Sequence, residues 1–262
     1  VPVRDENGNL TFRTTGGSFN QFLVTETLFV PLGRLTVVAG GNIGDVSALV
    51  DVDGEFLAGG DIGNVTAGAS VGSNSTSSSS QNTSLVAGGS IGNITAQTGF
   101  IDSLVTAHAQ DSIGNIRASL NVGGEYIAEE GSIGTITSAA RDINVSATAR
   151  TGIGNIEAGV SVFGDYTVTA GPIGNISALT GSIGSASDRL DVRANGGVEL
   201  DLDRLEYVHV VNGTMLNGVG SVISYLGNIY ANITTGASVG VVNGAGDDVT
   251  GGIAAPIGEV QV

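Results

Sequence analysis

Asp201 and Asp203 stand two apart in an alternating stretch, with Arg204 next to them and His209 five residues further on. Residues two apart share one face of a strand. Two carboxylates on one face, with a guanidinium beside them and an imidazole nearby, are the groups that acid–base cleavage or elimination of a polysaccharide would use. An alternating, solvated strand face has the same appearance, and it is the preferred reading. His108 and His209 are the only histidines, and neither has an H-x-H or H-E-x-x-H partner. Two acidic segments carry the hard oxygen ligands that suit Ca²⁺. One is Asp51-Val52-Asp53-Gly54-Glu55; the other, Asn243 to Thr250, includes Asp247 and Asp248. A glycine corner rimmed with acids looks the same, so the chain is expected to be non-catalytic and to need no cofactor, with Ca²⁺ at Asp51 and Asp53 or at Asp247 and Asp248 as the exception.

The composition narrows the classes further. Among 262 residues there are 43 Gly, 4 Pro, no Trp and no Cys. The absence of Cys excludes a disulfide framework, a thiolate metal site and a cysteine nucleophile. All nine cations are Arg, and against 25 acids they leave a net charge of −16. Such a chain repels nucleic acid and anionic lipid. No apolar run reaches the ~18 residues needed to span a bilayer. Val1 is not an initiator Met and no charged n-region precedes an apolar stretch, which reads as a processed or trimmed chain.

The elements that must position these groups come from a repeat, small-Ile-Gly-Asn-(Ile/Val)-x-Ala. It begins at Ile43, Ile62, Ile91, Ile113, Ile133, Ile153 and Ile173, in steps of 19, 29, 22, 20, 20 and 20 residues. Weaker copies begin at Leu226 and Ile257. Ile113 and Ile116 are three apart and cannot share a face of one straight strand. Both point inward if Gly114-Asn115 turns a corner between them, and Gly, then Asn, best tolerates the left-handed conformation that such a corner needs. Ile116, Arg117 and Ala118 then alternate in, out, in. This predicts an all-β parallel β-solenoid (β-helix) of about ten coils of ~20 residues.

A second pattern falls on the opposite side of the coil. Val52-x-Gly54-Glu55-Phe56 matches Val122-x-Gly124-Glu125-Tyr126 and Val162-x-Gly164-Asp165-Tyr166, whereas the intervening coils carry Ile143 and Ile183 one position later. Large and small side chains are expected to interleave along the core with a superperiod of about 40 residues. Residues 1–38 lack the motif and are expected to form an N-terminal strand and hairpin segment. In it Val1 to Arg4 and Leu10 to Arg13 flank a turn. Residues 39–262 are the expected solenoid. Within it residues 73–83, rich in Ser and Asn, read as a loop extruded from one coil. Residues 198–211 read as one or two longer strands, or a widened coil.

The Ile-Gly-Asn corner resembles that of bacterial and phage β-solenoid surface proteins: adhesin passengers, filamentous-haemagglutinin-like coils and β-strand repeat proteins of cell envelopes. The resemblance covers residues 39–190 well and the rest loosely, and it speaks to fold alone. Asn243 to Thr250 resembles one nonapeptide of the Ca²⁺-binding RTX roll, with Thr250 where that pattern ends in a large apolar residue. Among eight Asn-x-Ser/Thr sequons, Asn74 and Asn82 in the Ser-rich loop are the best glycosylation candidates.

The expectation is therefore a secreted or cell-surface, non-catalytic structural protein that assembles with itself head to tail into a fibre or layer. Val1 and Val3 at one end and Val260 and Val262 at the other would supply the joining strands. An adhesin or carbohydrate-binding segment of a larger surface protein is the alternative, with glycans as partners; a polysaccharide lyase or hydrolase comes third.

Overall fold

The computed structural model describes residues 3–4, 10–14, 17–24, 35–72, 82–194, 199–201, 206–208, 210–211, 214–215, 218–235, 239–244, 249–250, 253–254 and 257–261. It is all-β, a solenoid of about nine turns with roughly 21 residues per turn. Two sheets run its length, one of 13 strands, parallel except at its first strand, and one of 11 parallel strands. One coil shows how the sequence makes them. Strand Ile116–Ala118 belongs to the 11-stranded sheet, a turn at 119–121 leads into Val122–Ala128 of the 13-stranded sheet, and Ser132–Ile133 forms a short third side.

The core is built of columns, because parallel in-register stacking places equivalent residues of successive coils on top of one another. Ile43, Ile62, Ile91, Ile113, Ile133, Ile153 and Ile173 form one such column, each bridged to the next. Ile94, Ile116, Ile136, Ile156 and Ile176 form a second on the far side of the corner. Both columns are buried throughout, as the corner argument required. Beyond Ile173 the corner column continues through Val219 and Val239 to Ile257.

The weak copy at Leu226 is not in that column. Leu226 is 69% exposed, and Ile229 stacks on Ile183 at a different corner. The copy that occupies the column is Val219-Gly220-Ser221-Val222, which lacks the signature Ile and Asn. Within residues 198–211, where one or two longer strands or a widened coil were expected, the described strands are short. Glu199–Asp201 pairs with Glu206–Val208, and Val210–Val211 with Thr214–Met215, as two separate antiparallel pairs.

The interleaving of large and small residues is visible in the 13-stranded sheet. Tyr126, Ala147 and Tyr166 are neighbours in one column, and Gly124, Val145 and Gly164 in the column two positions before it. A coil with a ring thus has a glycine beside it, and a coil with alanine has a valine. Each phenol turns back over its glycine: the Tyr126 hydroxyl donates to the Gly123 carbonyl at 2.6 Å, and that of Tyr166 to Phe163 at 3.1 Å. The alternating offset also has a place. Three residues, 119–121, join Ala118 to Val122, whereas four, 139–142, join Ser138 to Ile143.

At the start of the chain, Val3–Arg4 pairs antiparallel with Leu10–Thr14, the expected hairpin. Leu10–Thr14 and Phe19–Val24 already run parallel to Leu35–Ala39 and Ile43–Ala48 in the two sheets, so the ladder begins before residue 39. Most of the Ser-rich loop lies outside the described residues. On either side of it, Glu55–Ala58 pairs in register with Ser84–Ala87.

Candidate functional site

The motif glycines and asparagines act differently from what the corner argument assumed. Gly63, Gly92, Gly114, Gly134, Gly154 and Gly174 are not among the glycines with positive φ. They are glycine because the coil below leaves no room. A Cβ on Gly114 would lie 2.7 Å from Asn93 Oδ1 and 2.8 Å from the carbonyl carbon of Gly92. The asparagine oxygen fills that space because it accepts a hydrogen bond from the next coil. Asn64 N donates to Asp45 Oδ1 at 2.8 Å, Asn93 N to Asn64 at 3.0 Å, Asn115 N to Asn93 at 2.8 Å and Thr135 N to Asn115 at 2.8 Å. The ladder is interrupted at Thr135 and resumes from Asn155 to Asn175 and on to Ser221, at 3.0 and 2.9 Å.

A second ladder rises at the neighbouring corner. Asp61 N donates to Asn42 Oδ1, Ser90 N to Asp61 Oδ1 and Ser132 N to Ser112 Oγ, at 2.9, 2.8 and 3.1 Å. The third corner has its own, starting at Asp51, whose Oδ1 accepts from Ser70 N at 2.8 Å. Each of these oxygens satisfies a corner amide that the sheets do not reach. These oxygens were overlooked in the sequence, yet one signal was there: acceptor side chains recur at a constant phase, from Asp45 to Asn64, Asn93 and Asn115.

The candidate residues are thereby distributed as follows. Asp51 belongs to the third ladder, and Asp53 Oδ1 accepts from the Thr83 hydroxyl at 3.1 Å. Asp247 and Asp248 lie outside the described residues. No group of three or more His, Asp or Glu side chains able to hold a metal ion forms among the described residues. Asp201 ends a short strand opposite Glu206, while Asp203, Arg204 and His209 lie outside the described residues. His108 Nε2 meets Glu129 Oε1 at 2.7 Å on the solvent side of the next coil. Asn82 is exposed, with the buried Thr83 of its sequon bonded to Asp53; Asn74 lies outside the described residues. Val3 pairs with Thr11 and Val260 with Val242, whereas Val1 and Val262 are outside the described residues.

Burial raises the Tyr126 and Tyr166 phenols far above their usual range, with the Asp165 carboxylate adding to the effect on Tyr166. Each hydroxyl bonds a carbonyl of its own coil, three residues back. A groove of about 410 Å³ lies at the third corner, lined by Phe100, Asp102, Asn121, Asp142, Asn144 and Phe163 among others. No helix is long and apolar enough to cross a membrane among the described residues.

By its fold the chain is a parallel β-solenoid. No protein-family model, curated protein or solved structure matches it.

Proposed function

We propose that this chain is a non-catalytic structural rod of the cell exterior that associates head to tail with copies of itself. What supports the reading is the use to which the repeat residues are put. The Asn and Asp side chains of the corners, which would be the chemical groups of an enzyme wall, are engaged in bonding each coil to the next. Their glycine neighbours close the gap between coils. The outer edges of Phe19–Val24 and Ile257–Gln261 pair with no strand among the described residues. Unpaired edges template strand addition. Such an edge takes the next coil of a longer polypeptide or a strand of a second copy; the proposal commits to the second copy, and a repeated heterologous contact that does not close gives a filament. A net charge of −16 disfavours sideways packing of such rods.

Electron microscopy of the purified chain, with light scattering over a concentration series, tests this. Rods that lengthen with concentration and keep one diameter are expected. A particle that stays monomeric at high concentration would overturn the proposal.

A further inference from the structure

Two outward-facing phenylalanines break the rules of their columns, and both line the same groove. The first is Phe100. Its column at the third corner is otherwise made of side chains that accept from the next coil's amide. Phe100 N donates to Ser70 Oγ at 3.3 Å, Asp142 N to Asn121 Oδ1 at 3.3 Å, Ser161 N to Asp142 Oδ1 at 2.9 Å and Ser182 N to Ser161 Oγ at 3.1 Å. Phe100 has no acceptor to offer Asn121, so the ladder skips a rung where the ring stands. The second is Phe163, in the outward column Gly123–Asn144–Phe163 of the 13-stranded sheet. Its neighbours there have no side chain or a polar one. Both rings are partly exposed. An outward ring gains nothing for the core, and half-exposed rings gathered at one concave place mark a binding surface.

The polar lining is ordered from behind. Asp102 Oδ1 accepts from Leu104 N at 2.9 Å and from Ser103 Oγ at 3.3 Å; Asp142 Oδ1 accepts from Ser161 N at 2.9 Å. Each carboxylate is thus oriented through one oxygen, and the second oxygen of each accepts no hydrogen bond within the described residues. The Asn144 amide, fully outward on the strand between Gly123 and Phe163, also has no partner there. The groove therefore presents free acceptors, a free amide that both donates and accepts, and a ring toward each end. The rings stand three coils apart, about 14 Å along the axis at the rise of stacked strands.

We infer that this groove binds an oligosaccharide without negative charge, laid along the rod axis. A sugar ring has an apolar face of C–H groups and a rim of hydroxyls. Phe100 and Phe163 match the face; Asp102, Asp142 and Asn144 match the rim. A run of such rings repeats along its length as the coils do, and it fits a groove that crosses four of them. The two carboxylates, in a chain of net charge −16, repel uronate or sulfated chains.

The test is binding of the full chain to a panel of immobilised neutral oligosaccharides, namely glucan, mannan, xylan and N-acetylglucosamine oligomers, with a polyuronate as the charged control. At least one neutral chain is retained and the polyuronate is not. Phe163→Ala weakens that binding at least tenfold and Asn144→Ala several-fold, while both variants keep the thermal melting of the parent. Filaments seen by electron microscopy are unchanged in both, so failure of this site and failure of end-to-end assembly are separate results. Retention of no neutral oligosaccharide, equal retention of the polyuronate, or unchanged affinity in folded Phe163→Ala overturns the inference.

Discussion

The Ile113 corner and the Tyr126 wall of the same coil solve the same packing problem in opposite ways. At the corner nearly every coil repeats the residue below it, Ile on Ile from Ile43 to Ile173. In the ring column of the wall the residue changes from coil to coil, as Phe56, Leu85, Ala107, Tyr126, Ala147, Tyr166, although the column two positions on stays alanine from Ala39 to Ala149. What is conserved there is the sum of two positions. Gly54, Gly124 and Gly164 accompany the rings, and Val105 and Val145 accompany the alanines. The difference follows from geometry. At the corner one Ile stacks directly on the next, so the column keeps one shape. The wall is flat and wide enough that two adjacent side chains share one volume, and only their total is fixed.

The sharpest way to break the comparison is to deny the wall its glycine. Gly164 has φ of +105°, and a Cβ there would overlap the Val145 carbonyl oxygen of the coil below. Gly164→Val combines a strained backbone with a clash that no rotamer relieves. A loss above about 4 kcal/mol, or failure to fold, is expected, read by circular dichroism and urea unfolding. At the corner, Ile116→Ala leaves a cavity between Ile94 and Ile136 and should cost about 2–5 kcal/mol in the same assay.

Alkaline unfolding separates the two regions without mutation, because the wall holds the buried phenols and the corner has none. The folded-state pKa of Tyr126 and Tyr166 is raised by burial. Their contribution is therefore complete below the ordinary tyrosine value of about 10 and is lost as pH rises above it, by up to about 1.4 kcal/mol per unit for each phenol. Phenolate absorbance should show these two of the five tyrosines silent until the fold is lost. Parallel titration of all five in the folded protein would contradict their burial.

How much of this the sequence revealed depends on the same distinction. The corner was legible because its constancy is a fixed phase: the Ile steps of 20 residues located the column and its buried partner three positions on. It failed at the step of 46 residues from the Asn175 corner to Ser221, where the copy is Val-Gly-Ser-Val and a better-looking Leu226-Gly227-Asn228 lies at another corner. The role of the motif glycine was misjudged because a residue chosen for φ and one chosen for close approach are the same letter. Gly114 is of the second kind and Gly124 of the first. The groove was hidden because Phe100 and Phe163 are far apart in sequence, and each stands out only when set against its own column.

A double-mutant cycle sharpens the claim that the wall conserves a sum. Ala147→Tyr should overpack the coil between Tyr126 and Tyr166 and cost about 1–3 kcal/mol. Adding Val145→Gly recreates the pairing of the flanking coils and should recover part of that loss, giving a favourable coupling of about 0.5–3 kcal/mol. Urea unfolding of the four proteins measures it. Strict additivity would mean that the two columns pack independently.

The smallest expected effect belongs to the ladder, and it bears on why the corner tolerates exceptions. Asn115 Oδ1 accepts from Thr135 N at 2.8 Å, yet the next rung is missing in the native chain, because Thr135 makes no such bond to Asn155. A single rung is therefore dispensable: the amide left behind lies at an exposed corner where water can replace the asparagine. Asn115→Ala should cost about 0.5–1.5 kcal/mol. Hydrogen exchange gives the local reading. The Thr135 amide should lose protection in the variant, while that of Ile136, which donates to Asn155 O at 2.8 Å, should keep it. If both amides open together, the ladder holds the whole corner and not one amide at a time, and the contrast with the cooperative wall would have to be abandoned.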